Sequence, residues 1–278
     1  MNFLVLLLVL WVEKFSSWRL PIQNDGPFLR LLRAVEGNKE DSAQPWLSLL
    51  LVVLLPVLAL GLILLALEPV LYGLLALPVH LLVVIYSLGR TDLQAALGPF
   101  RDSWRRGDAE AAYLVAQRDL NIEAEEAPTL LTCVQKYMVW EAFQSFFAVI
   151  FWYALLGPLA ALAYRLVALL AEHSQQPALK EIAQQVRHGF DWLPVRILAL
   201  SFALVGNFAA VSRSLLHELL SWDISAAQLA SMTARAAAEL PEPSLGEEGV
   251  ATLDSIWQLL VRTAMLWYAL IAVWVLLI

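Results

Sequence analysis

Long uncharged stretches alternate along this chain with shorter polar ones, and the alternation is coarse, running over some twenty positions at a time. The apolar runs are 47–67 (LSLLLVVLLPVLALGLILLAL), 69–88, 143–170, 192–211 and 256–278. A helix rises about 1.5 Å per residue, and a hydrocarbon layer of about 30 Å needs about 20 apolar residues. The pattern therefore predicts an all-α fold, a polytopic transmembrane helix bundle of about four to five spans, forming one membrane domain over 1–278. Glu68-Pro69 alone separates the first two runs, and proline suits a first helical position, so 47–88 reads as a tight helical hairpin. The opening MNFLVLLLVLWV, at 12 residues, lacks basic residues before it and a small-residue cleavage site after it. It reads as a half-buried or tilted anchor rather than a removed signal.

The polar segments carry a second, finer periodicity. Leu93, Ala96, Leu97, Phe100 and Trp104 recur at three- and four-residue steps, which predicts an amphipathic helix over about 92–104. Gly107-Asp108 is a stop and restart, and AEAAYLVAQRDL continues as a second helix until EAEEAP. Within the soluble helical segment 212–250, residues 223–250 are alanine-rich and helical up to PEPSLGEEG, which reads as a flexible linker.

Composition strengthens the membrane reading. Of the 278 residues 60% are hydrophobic and 15% charged, against about 25% charged in soluble domains. The formal net charge of −7, with no dense basic stripe, speaks against a nucleic-acid partner. Cys133 is the single cysteine, so no internal disulfide forms. Basic residues set the orientation. Lys14, Arg19, Arg30, Arg33 and Lys39 lie in 13–46, and Arg90, Arg101, Arg105, Arg106, Arg118 and Lys136 in 89–142. The positive-inside bias makes these segments cytoplasmic, together with 212–255, in a bacterial inner membrane. Simple alternation sends 171–191 to the outer face, and a re-entrant hairpin at Gly157-Pro158 would return it to the cytoplasm.

Candidate chemistry is sparse. There is no phosphate-binding glycine loop, dinucleotide fingerprint or HExxH pattern, and His80, His173, His188 and His217 stand apart, so neither cofactor nor metal is expected. Two arginines stand out. Arg165 closes the run FFAVIFWYALLGPLAALAYRL, and Arg196 lies inside FDWLPVRI. An arginine at a span's centre costs about 2.5–3.5 kcal/mol, although one near an end can snorkel to the headgroups. Asp191, Pro194 and Arg196 make an acid, a helix breaker and a base at the mouth of a span, where Asp191 can pair with either arginine. A polar pocket bordered by Arg165, Asp191 and Arg196, and reached by Glu141 if the segment re-enters, is the expectation.

These residues carry a resemblance. Phe151-Trp152, Gly157, Ala163, Tyr164 and Arg165, followed by DWLPVR at 191–196, resemble the AmpE family, bacterial inner-membrane proteins associated with β-lactamase regulation. That family is similar in turn to the membrane-bound adenosylcobinamide-phosphate synthases. Arg118-Asp119 resembles the synthases' Arg-Asp pair. The synthases' later polar motifs are replaced here: by spacing they fall on Trp140, Glu141 and Gln144, on Ala168-Leu169-Leu170-Ala171, and on Asp191. An amide-forming, nucleotide-dependent reaction needs such groups to hold metal and phosphate, so the resemblance implies a scaffold without synthase activity. It implies a regulatory or sensory protein of β-lactamase induction and cell-wall or antibiotic stress. Its expected ligand-binding set is Arg165, Asp191, Arg196, Tyr164, Glu141, Arg118 and Asp119, with no catalytic or metal residue. Its expected partners are membrane lipids, a wall-derived or anionic amphiphilic ligand, a signalling protein and a second copy of the chain. Two alternatives stay open: a membrane enzyme with altered ligase chemistry, and a lipid or wall-precursor binder or transporter.

Overall fold

A computed structural model describes residues 5, 23–37, 44–67, 75–89, 92–124 and 126–277. Among the described residues every regular element is a helix. In chain order they are α1 (Gly26–Gly37), α2 (Pro45–Leu67), α3 (Ala76–Ser87), α4 (Leu93–Arg105), α5 (Ala109–Leu120) and α6 (Ala127–Ala142). A π-helical turn, Phe143–Phe147, carries α6 into α7 (Ala148–Leu156). Then follow α8 (Pro158–His173), α9 (Pro177–Val205), α10 (Phe208–Leu215), α11 (Ala226–Ala237) and α12 (Glu247–Leu277). Among the described residues, four helical stretches are long and apolar enough to cross a membrane: Pro45–Leu67, Ala127–Leu156, Pro177–Val205 and Glu247–Trp274. The chain is an all-α polytopic membrane protein.

The span boundaries differ from those predicted by hydropathy alone. Ala127–Leu156 begins well before 143, because Leu130, Leu131, Val134, Met138 and Val139 make an apolar stripe that keeps one helix going through polar Gln135 and Lys136. Pro177–Val205 likewise begins upstream of 192, where charged residues had suggested a loop. The expected turn at Glu68-Pro69 lies outside the described residues, as does the expected anchor over 1–12 apart from Val5.

The chain divides into two compact units, the first comprising 1–90 and 148–191, the second 91–147 and 192–278. In the first, α8 is the hub, packed on α1, α2, α3 and α7. Its core joins Phe28 and Leu32 of α1, Leu49, Val52 and Val53 of α2, Leu166, Val167, Leu169 and Leu170 of α8, and Leu179 and Ala183 of α9. Beyond that seam, α2 exposes Leu50, Leu51, Leu54, Leu55, Leu58, Leu62 and Leu65. A leucine-sized side chain moved from water to an apolar medium gains about 1.5–3 kcal/mol, so a helix bare on this scale belongs in lipid.

Gly157 makes the corner of a helical hairpin. Its φ of 80° and ψ of −164° lie where a Cβ is not tolerated, and Pro158 opens α8 without needing a hydrogen bond for its nitrogen. The reversal can be read from one ring. Phe190 lies 5.2 Å from the Trp152 ring and 6.3 Å from the Tyr164 ring, centroid to centroid. Along a continuous helix, residues 152 and 164 would be about 18 Å apart.

The second unit opens with the α4–α5 pair, and Asp92 caps α4 by accepting from the backbone N–H groups of Gln94 and Ala95. Gly107 takes a left-handed φ of 74° at the turn, and Asp108 caps α5 through the Ala111 N–H. Leu93, Leu97, Phe100 and Trp104 form the buried face, as the periodicity predicts. The segment PEPSLGEEG, expected to be flexible, is pinned. The Trp104 indole donates to the Ser244 carbonyl at 3.0 Å, and Gly246 N–H donates to the Trp104 carbonyl at 3.2 Å. Arg105 pairs with Glu247 at 2.8 Å. Composition marks the loop, but only the fold supplies the indole that holds it.

Candidate functional site

Within the first unit, α8 and α9 run antiparallel, which brings widely separated polar residues onto facing turns. Tyr164 and Glu172 lie two helical turns apart on α8, and Arg187 and Asp191 lie one turn apart on α9. The Tyr164 hydroxyl donates to Asp191 Oδ1 at 2.9 Å. Arg187 Nε lies 3.6 Å from Asp191 Oδ2, and its Nη1 donates to Glu172 Oε1 at 3.2 Å. The result is one continuous polar chain, Tyr164–Asp191–Arg187–Glu172. It runs from a buried end, where Tyr164 is 1% and Asp191 2% exposed, to the accessible Glu172.

A carboxylate taken out of water costs several kcal/mol unless partners restore its solvation. Asp191 has two such partners. The tyrosine supplies a hydrogen bond and the guanidinium a counter-charge, and Trp152 and Phe190 wall the buried end with rings. Such a site holds a negative charge in a fixed place and can share a proton with a phenol.

Arg165, the next residue along α8, pairs with Asp25 at 3.6 Å, just before α1. Its Nε is buried with no hydrogen-bond partner. Arg165, Tyr164 and Asp191 of the expected set thus belong to one compact unit, joined there by Asp25, Glu172 and Arg187. Those three lay in what the sequence presents as loops. The readable signal was the four-residue spacing of Arg187 and Asp191, which becomes a facing pair once α9 is known to begin at Pro177.

The other expected residues belong to the second unit. Arg196 Nε donates to the Leu219 carbonyl at 2.5 Å, Nη1 to the Trp192 carbonyl at 2.8 Å and Nη2 to the Ser221 carbonyl. Its guanidinium carbon stands 4.0 Å from the centroid of the Trp192 ring. Glu141, on α6, accepts from the Gln144 side-chain amide. Arg118 and Asp119 face solvent on α5 and bind each other with two bonds, at 2.6 and 2.8 Å. The hydrogen bond from Arg118 holds the Asp119 carboxyl below its ordinary range. Among the described residues, no cluster of three or more histidine, cysteine, aspartate or glutamate side chains is placed to hold a metal ion.

Comparison with known proteins gives one finding. A family model described as "Regulatory signalling modulator protein AmpE" matches residues 1–273. No curated protein and no solved structure matches the chain.

Proposed function

The chain belongs to the AmpE family, and from that premise we propose that it is a regulatory protein of the bacterial inner membrane acting in β-lactamase induction and the response to cell-wall or antibiotic stress. The observation that carries this reading is the family match, which runs over both compact units. The four candidate spans support a membrane seat for it. A non-catalytic role is favoured by the character of the polar chain, which is an ion-pair and hydrogen-bond seam between helices without an activated nucleophile.

The sensing site in this proposal is the Tyr164–Asp191–Arg187 seam with its neighbour Arg165. The buried, unpartnered Nε–H of Arg165 is the donor that an anionic amphiphile or wall-derived headgroup would meet. The basic segment 13–46 faces the cytoplasm in this reading, and the turn 174–176 shares that face. Glu36, at the end of α1, accepts from the Ser174 hydroxyl at 2.7 Å and the Gln175 N–H at 3.1 Å, so that turn and the start of α2 share one end of the first unit. The Gly157 hairpin thereby replaces simple alternation in the proposed topology.

The test is genetic. In a host with an inducible β-lactamase, removing this protein should change the β-lactamase activity measured after exposure to an inducing β-lactam. The intact chain should restore it, and Arg165→Ala, checked for membrane insertion, should restore it only in part. Unchanged induction in the deletion would overturn the proposal, and full restoration by Arg165→Ala would remove its sensing site.

A further inference from the structure

Residues 208–222 (FAAVSRSLLHELLSW) follow the end of a spanning helix with only Gly206 and Asn207 between. Val211 and Leu215 face inward. The flank beside that stripe is apolar and bare, with Phe208 64% and Leu216 72% exposed, and Leu220, just past the helix end, is 82% exposed. Phe208 and Leu216 lie eight positions apart, which places them about 80° from each other on one helical sector. Arg213 and His217 continue around the helix into a polar sector. Leu193, Ile197, Leu200 and Leu204 of the spanning helix that this segment follows are exposed as well.

The segment does not leave the helix it follows. Arg196, nine residues before Val205, binds the carbonyls of Leu219 and Ser221, and the Trp192 and Trp222 ring centroids lie 6.1 Å apart. Nine residues of helix span about 14 Å, so 208–222 folds back alongside the span instead of leaving it. Carbonyls freed where a helix ends at membrane depth need donors from protein, since lipid tails have none. Arg196 supplies them, and in return its charge is paired with polar acceptors and an aromatic face.

We propose that residues 208–222 form an amphipathic lip lying in the lipid at the apolar–headgroup boundary, held there by Arg196. Phe208, Leu216, Leu220 and Trp222 contact acyl chains, and Arg213, His217 and Glu218 face the headgroups. Arg196 is then a positioning residue for a lipid contact rather than part of a soluble ligand's pocket.

The test uses the full chain carrying Cys133→Ser, with single spin-labelled cysteines at Leu216→Cys or Leu220→Cys. The reconstituted variants are measured in nanodiscs of phosphatidylethanolamine and phosphatidylglycerol. Leu58→Cys on α2 marks lipid, and Glu242→Cys marks water. Collision with oxygen relative to a water-soluble nickel chelate is the readout. The proposal expects ratios at 216 and 220 several-fold above that at 242 and close to that at 58. Ratios like that at 242 would place the segment in water and overturn it. Labels shielded from both reagents would show a protein cover instead, which also overturns it. These exposed positions make no core contact, so folding is not at stake.

Discussion

At the scale of single residues, position on the ion-pair chain decides consequence. Arg187 supplies the guanidinium paired with the Asp191 carboxylate, and both are largely buried. Removing one partner of a buried pair leaves an uncompensated charge and costs about 3–5 kcal/mol. Removing a hydroxyl that donates to a charged acceptor costs about 1–3 kcal/mol. Arg187→Ala is therefore expected to lower the thermal midpoint of the detergent-solubilised protein more than Tyr164→Phe does. Circular dichroism melts of both variants check the order. Equal or reversed effects would mean that Asp191 draws its compensation from elsewhere.

At the scale of elements, the hairpin corner depends on one backbone conformation. A Cβ added at Gly157 would meet nothing within 4 Å, so any penalty there comes from its φ of 80° and ψ of −164° alone. Holding a residue with a side chain in such a region costs about 1–3 kcal/mol. Gly98, inside α4, also has open space around its missing Cβ but takes no positive φ. Substitution there reduces the freedom of the unfolded chain and gains about 0.4–1 kcal/mol. Gly157→Ala should thus lower the melting temperature and Gly98→Ala leave it level or raise it. A stable Gly157→Ala protein would show that the corner tolerates another geometry. The periodicity of α4 and the stop at Gly107 were legible because caps and apolar stripes are local. The pinned loop at 244–249 was not, because its partner, Trp104, is far away in the chain.

At the scale of the whole chain, the first unit fixes which ends of its helices share a face. Glu36 and the turn 174–176 are hydrogen-bonded, and α2 begins just after α1. In a Cys133→Ser background, Gln44→Cys and Gln175→Cys should therefore react with a membrane-impermeant maleimide from the same side. Labelling from opposite sides would refute the hairpin as drawn here. The same geometry governs which polar residues act together, since Tyr164, Arg165, Arg187 and Asp191 belong to one compact unit. Glu141, Arg118, Asp119 and Arg196 make hydrogen bonds within the other.

Sequence alone determined that this chain is helical and made for lipid, because transfer of apolar surface depends on composition and run length, which any stretch carries with it. It also marked Gly157-Pro158 and the two arginines as exceptions, since a breaker or a charge in an apolar run is costly wherever the chain goes. Only the tertiary structure decided that Asp191 meets Tyr164 and Arg187, that Arg165 meets Asp25, and that Arg196 holds a neighbouring backbone. Those pairings depend on where the chain reverses and which turns then come level, and hydrophobic pattern is blind to both.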